Sequence, residues 1–161
     1  RVVRGRGPLV GLFLSPHTNK RAGQWGGSIE NRSRLLIEVV RAVRAAVGTG
    51  FGVGIKLNSA DFQRGGFSRE DAEAVIKMLN SEKVDLLEIS GGTYEAPAMA
   101  GSTGDEPERS STEQREAYFL DFAVKARAYA KMHLMVTGGF RSKAGMDTAL
   151  KSGDLDMIGM G

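Results

Sequence analysis

Lys56 stands inside a short apolar run, Val53-Gly54-Ile55-Lys56-Leu57-Asn58, which leads into the polar exit Ser59-Ala60-Asp61-Phe62. A charge in such a strand is expensive unless it is paired or faces a site. One chemistry for it is a cation held against a developing anion. Another is a buried amine nucleophile acting on a carbonyl. The structural reading pairs Lys56 with a neighbouring carboxylate such as Glu88, and Glu88 carries the same ambiguity. A second candidate is the turn Gly138-Gly139, set between a strand and a helix start. Bare backbone amides there, aided by the helix dipole, suit a phosphate group. A tight strand-to-helix turn also needs glycine for its own geometry. His17 and His133, the chain's two histidines, have no nearby Cys or Asp arrangement of a metal site or triad and read as structural. Trp25 with Gly26-Gly27 reads as a packed turn, and Glu30-Asn31-Arg32 as a hydrogen-bonded loop anchor.

These residues need elements to position them. From Glu30 to Val47, Leu36, Val39, Val40, Val43 and Val47 share one helical face, with Arg32, Arg34, Arg41 and Arg44 largely opposite. Gly48 and Gly50 end that helix, and the lysine strand follows over about 52–58. Ser68 with Asp71 caps a second helix whose buried stripe is Ala72, Val75, Ile76 and Leu79. A strand from Val84 to Ile89 runs into Ser90-Gly91-Gly92-Thr93-Tyr94, and a Gly/Ser/Thr/Ala-rich loop extends to about Ser110. Loops of that length in a compact domain are functional or mobile. Ser111 with Gln114 offers a capping box for a third helix through Met132, burying Tyr118, Phe119, Phe122 and Ala126. His133 to Thr137 is the next strand, Ser142 to about Ser152 a short helix, and Leu155 to Gly159 the last strand. Alternation of this kind predicts parallel strands joined by right-handed crossovers. Four such steps make half of an eightfold α/β barrel or a small open sheet, and the order alone fits both. In a barrel the strand C-termini face the site, and phosphate is often held after strands seven and eight. Gly159-Met160-Gly161, at the exit after that of Gly138-Gly139, fits that pattern.

Composition sets outer bounds. The 161 residues suffice for one domain with a core, and 41% hydrophobic and 25% charged residues are ordinary for a globular protein. A net charge of +3, spread among acidic residues, is no nucleic-acid footprint; only Arg1, Arg4 and Arg6 cluster. Without cysteine the chain has no disulfide framework and no thiolate metal site. No apolar run approaches the roughly 20 residues of a membrane span, and no signal peptide is visible. A cytoplasmic, non-membrane protein is expected. The absence of an initial Met and the apolar pattern around Met160-Gly161 make both ends look cut.

Two stretches then carry a resemblance. Phe13-Leu14-Ser15-Pro16-His17-Thr18-Asn19-Lys20-Arg21 and Trp25-Gly26-Gly27-Ser28-Ile29-Glu30-Asn31-Arg32-Ser33-Arg34 resemble the signature of Old Yellow Enzyme-type NADH:flavin oxidoreductases. The lysine strand, Glu88-Ile89-Ser90-Gly91-Gly92-Thr93-Tyr94-Glu95 and Val136-Thr137-Gly138-Gly139-Phe140-Arg141 continue it. The resemblance implies an FMN-binding (β/α)8 barrel, represented here from roughly the fourth helix to the eighth strand. It divides the chain into a divergent segment 1–11 and the C-terminal barrel half 12–161. It places Lys56 beside flavin N1 and O2, Gly138 and Gly139 at the FMN phosphate loop, and Gly161 at the glycine of a phosphate-holding Gly-Arg pair. The implied reaction moves a hydride from NADH or NADPH to flavin N5 and on to an activated alkene, an enone being the usual case.

The departures bear on activity. Counting back from Phe13, the family's substrate-binding pair falls at Val3 and Arg6, and its proton-donor tyrosine at Pro8. Valine and proline cannot do that chemistry, and arginine is no neutral donor. The first ten residues also fail to read as an apolar strand, as in a frameshifted or misassembled remnant. The expectation is therefore a flavoenzyme fragment, weak or inactive alone, acting with an unsaturated carbonyl substrate and without nucleic acid or membrane. Its expected partner is a second copy or the missing barrel half. Two rivals remain: another phosphate-binding barrel, an aldolase or isomerase using Lys56, and a non-catalytic half-barrel that self-associates.

Overall fold

A computed structural model describes residues 8–61, 64–90, 121–138, 140 and 142–160. Helix α1 (Pro8–Leu14) leads through a short 3-10 turn (Gly23–Trp25) into α2 (Ile29–Val47), β1 (Gly54–Asn58), α3 (Arg69–Leu79) and β2 (Leu86–Ser90). Helical residues 121–127 (α4), β3 (His133–Thr137), α5 (Lys143–Lys151) and β4 (Met157–Gly159) follow. The strands form one parallel sheet in the order β1-β2-β3-β4, as the alternation predicts.

Each element has a local cause. Ser68 Oγ accepts from Asp71 N–H (3.2 Å) and Asp71 Oδ2 from Ser68 N–H (3.3 Å), so the expected capping box opens α3. Ser28 caps α2, whose run ends where Gly48 adopts φ 71°. In β1, Ile55 and Leu57 are buried, as are Leu87 and Ile89 in β2 and Leu134 and Val136 in β3. They pack with Leu36, Val40, Ala72, Ile76, Phe122 and Ala126 from the helices into one core. The alternate strand positions face the other way.

Two expectations need correction. Arg32 does not lie on a solvent side of α2; it is 7% exposed, and of the other three only Arg41 is well exposed. Its guanidinium grips Asp71 (Nη2 to Oδ1, 2.9 Å) and donates to the carbonyls of Leu14 and Gly27. The pair ties α2 to α3 and both to the loop before them. The third helix also stops at residue 127 rather than reaching Met132. Asn80, the C-cap of α3, donates to Tyr129 O (2.8 Å) and accepts from Lys131 N–H (2.9 Å), giving the backbone partners outside a helix. The start of that helix at Ser111 with Gln114, Tyr118, Phe119 and the loop before it lie outside the described residues.

Strands β2 and β4 each begin two residues later than expected, because the aspartate before each has other work. Asp85 Oδ2 accepts from Val53 N–H (2.6 Å) while Asp85 N–H donates to Val53 O (2.9 Å). Asp156 repeats this on Leu134, with 2.7 Å for the side-chain bond and 2.9 Å for the backbone bond. An arginine from the helix before the clasped strand completes each clasp: Arg44 of α2 on Asp85, Arg127 of α4 on Asp156. The Val53 amide, then Arg44, hold the Asp85 carboxyl below the usual carboxylate range. For Asp156 burial pushes upward, but the Leu134 amide, His133 and Arg127 outweigh it and the net direction is down.

Two stability outcomes follow. Depressed carboxyl values contribute stability that is complete above the unfolded value of about 3.9 and is lost as pH falls through the lower folded one. Urea midpoints measured from pH 6 to pH 2 are therefore expected to fall below about pH 4, and Asp156→Asn to flatten that fall. An unchanged slope would mean that the clasp carries no stability. Arg32→Ala should cost about 3 kcal/mol, toward the lower end for a broken buried pair, because Asp71 loses its cation and keeps only the Ser68 N–H. Denaturant unfolding checks this, and a loss under about 1 kcal/mol would return Arg32 to the surface class.

Candidate functional site

The strand positions that face away from the helices make two rows. In the lower row Lys56 registers with Glu88, Glu88 with Met135, and Met135 with Met157. The upper row, at the C-terminal ends, pairs Asn58 with Ser90 and Thr137 with Gly159. Both rows arise from the two-residue period of a strand: 56 and 58, 88 and 90, 135 and 137 share a face.

Lys56 forms an ion pair with Glu88, and their side chains are 18% and 14% exposed. The structural reading of Lys56 is thus realised. It does not exclude the other, since an ammonium has three N–H donors. Glu88 has a further interaction besides Lys56. Above the pair, Ser90 Oγ donates to Asn58 Oδ1 (3.1 Å). Thr137 Oγ1 is sealed from solvent and meets no hydrogen-bond partner among the described residues. It points toward Gly159, where a built Cβ would stand 2.2 Å from Thr137 Oγ1 and 2.5 Å from Met135 Cε. Glycine is needed there for that close approach.

Gly138 leaves β3 with φ 97°, a conformation that favours glycine. Its N–H donates to Gly159 O (3.3 Å), so its own contribution to an anion site is the turn, its amide being used in the sheet. Ser142 then caps α5, accepting from Gly145 N–H at 3.0 Å. Gly139, Arg141 and Gly161 lie outside the described residues, as do Val3 and Arg6. Pro8 opens α1, a helix position where its missing N–H costs nothing. A cation in the middle of β1 on the open face, and a glycine turn and a buried hydroxyl at the exit of β3 two strands away, are groups that fit a flavin mononucleotide.

The loop before α2 is built for shape. Buried Asn19 donates to Phe13 O and Trp25 O, both at 2.7 Å. Phe13 and Trp25 meet edge-to-face at 6.3 Å, with the Arg21 guanidinium 4.3 Å over the Phe13 ring. Gly26 is extended, and a Cβ there would strike Arg21 O at 2.1 Å. Asn31 Nδ2 donates to Gly23 O (3.0 Å), the anchoring expected of that helix start. His17 Nε2 bonds Arg64 O (2.8 Å), and His133 Nδ1 lies 3.3 Å from Asp156 Oδ1, so each histidine has a structural contact. Among the described residues no group of His, Cys, Asp or Glu side chains has the arrangement of a metal site, and no helix is long and apolar enough to cross a membrane. A surface depression of about 370 Å³ beside Arg41, Arg44 and Lys83 lies at the opposite, N-terminal end of the strands.

A sequence profile of the NADH:flavin oxidoreductase / NADH oxidase family matches residues 2–161. The chain belongs to this family. Among its relatives, the NADH-dependent flavin oxidoreductase iliE of Neonectria sp. (strain DH2) is 39% identical over 99% of this chain and 21% of its own length. The NADH-dependent flavin oxidoreductase iccE of Talaromyces variabilis is 40% identical over 96% of this chain and 37% of its own. A solved structure of 2-naphthoyl-CoA reductase with 2-naphthoyl-CoA superposes with a TM-score of 0.80 at 31% identity, covering 94% of this chain and 22% of that one. The chain thus spans well under half the length of the relatives it matches. The expected family, its enzyme class and its flavin and NADH cofactors are those of the matched proteins. The upper-row residues Ser90 and Thr137 were missed as candidates by sequence reading, although each stands two places beyond a lower-row residue.

Proposed function

We propose that this chain supplies the C-terminal half of an FMN-binding (β/α)8 barrel, roughly its fourth helix to its eighth strand, in an NADH-dependent oxidoreductase. The observation that carries the reading is the half-buried Lys56 on the open sheet face, two residues before the C-terminal end of β1, with the Gly138 turn at the exit of β3. Bound flavin would supply the redox step, taking hydride from NADH at N5 and delivering it to the alkene of an unsaturated carbonyl compound. The chain's own residues bind and orient. Lys56, steadied by Glu88, would offer its remaining N–H donors to the N1 and O2 edge of a bound isoalloxazine. Gly138 and Gly139, with Gly161, shape the phosphate loop ahead of α5. NADH is favoured over NADPH by the relatives' names. A cytoplasmic setting fits the reading. The substrate-side His pair and Tyr have no counterpart at Val3, Arg6 and Pro8. The other barrel half is the partner this reading requires, and the chain alone reduces enones weakly or not at all.

Lys56 as an aldolase-type nucleophile is the lesser reading, because a nucleophilic amine must be uncharged and the ion pair with Glu88 works against that. The deciding experiment mixes the 161-residue chain with FMN, separates it by gel filtration and reads flavin absorbance in the protein peak. Flavin is expected to co-elute, and Lys56→Ala to weaken binding by about tenfold or more, the scale of a charge-assisted hydrogen bond. A folded chain that elutes without flavin, and dimerises with concentration, would overturn the reading in favour of a non-catalytic half-barrel.

A further inference from the structure

The geometry points to Asn58, Ser90 and Thr137 as a polyol-binding shelf: we propose that the Thr137 hydroxyl hydrogen-bonds the ribityl chain of the flavin. This deepens the flavin-binding reading above and rests on it. Three short polar side chains stand in one row at the strand C-terminal ends, between the cation of Lys56 and the turn at Gly138. A polyhydroxylated chain is the part of the cofactor that must span from a cation at the ring to a phosphate at the glycine turn.

The three groups are unequal. Ser90 Oγ already donates to Asn58 Oδ1, which among the described residues leaves Ser90 Oγ able to accept and the Asn58 amide NH2 able to donate. Thr137 is different, for its hydroxyl is sealed against Gly159 and Met135 and has no hydrogen-bond partner among the described residues. Buried polar atoms without a partner are rare in native proteins, and each calls for a reason. Thr137 itself remains half-buried on the open face, so one χ1 rotation exchanges methyl and hydroxyl and brings the donor to that face. In a strand both common χ1 values are accessible, so the exchange needs no backbone movement. A ligand hydroxyl arriving there exchanges an unmade hydrogen bond for a made one. An aliphatic residue of the same shape would pack equally well beside Gly159, so packing gives no reason for threonine at this position.

Thr137→Val separates binding from folding, since it removes the hydroxyl at nearly constant shape. FMN, riboflavin and lumiflavin, the last lacking the polyol, are titrated against the full chain and followed by flavin fluorescence. Thr137→Val should weaken FMN and riboflavin about fivefold, the scale of one hydrogen bond, and leave lumiflavin unchanged. Thr137→Ser should restore most of the affinity. The melting temperature of the flavin-free Val variant should hold or rise, because an orphaned hydroxyl is replaced by a methyl. Unchanged FMN affinity in Thr137→Val would overturn the proposal. Weakening of FMN alone, with riboflavin unaffected, would overturn it in favour of a phosphate contact. A wild-type chain that binds none of the three flavins would overturn the flavin-binding reading itself, and the shelf with it.

Discussion

The register of the parallel sheet is the constraint on which the site depends, and two aspartates hold it. Asp85 and Asp156 each clasp the backbone of the preceding strand at both N–H and C=O, and each is held in turn by an arginine from a helix. A strand has a period of two, so a slip of one residue would exchange its faces. Lys56 and Asn58 would then enter the helix layer, and Ile55 and Leu57 would face out. The apolar pattern alone disfavours that slip. The clasps add a discrete, directional preference at the strand starts, where the hydrogen-bond ladder has not yet begun. The same unit occurs twice at different loop lengths, a structural repeat with no trace as a sequence repeat.

What the sequence made legible were the features with local causes. The α3 capping box needs only Ser68 and Asp71, three residues apart, and the strands announce themselves by apolar runs. Features that depend on distant partners were hidden or left open. Arg32 looks like a surface arginine on a helical wheel, yet Asp71, 39 positions on, draws it inward with the carbonyls of Leu14 and Gly27. The Lys56–Glu88 pair, separated by 32 positions, was one of two open readings until the register set them side by side. Helix α4 stops early for the same reason, because Asn80 of another helix takes the backbone groups that would continue it.

The residues that identify the family and those that bear on its chemistry are largely different sets. Asn19, Trp25, Gly26 and Arg32 make the family signature, and in the structure they fix the loop before α2 by hydrogen bonds, ring packing and a backbone contact that excludes any side chain. Lys56 and the polar row are chemically less distinctive, since lysine, serine, threonine and asparagine occur on any surface. Their meaning comes from shared register at one end of one face. A motif can thus be specific for a fold while saying little about where the reaction occurs.

The two ends of the sheet divide the work. At the N-terminal ends one oxygen of each carboxylate, Asp85 Oδ2 and Asp156 Oδ2, is engaged by a strand amide and an arginine, so these groups serve the register. Toward the C-terminal ends the groups are incompletely used: Lys56, mid-strand in β1, has donors left over after Glu88, and Thr137 Oγ1 has no hydrogen-bond partner among the described residues. Unsatisfied polarity is unfavourable for the folded chain and favourable for a ligand that completes it. Separating the two along the strand length, some five residues in β1, β2 and β3, lets the register be enforced without consuming the donors toward the other end. Parallel strands make this possible, because every strand then starts on the clasped side and ends on the open one.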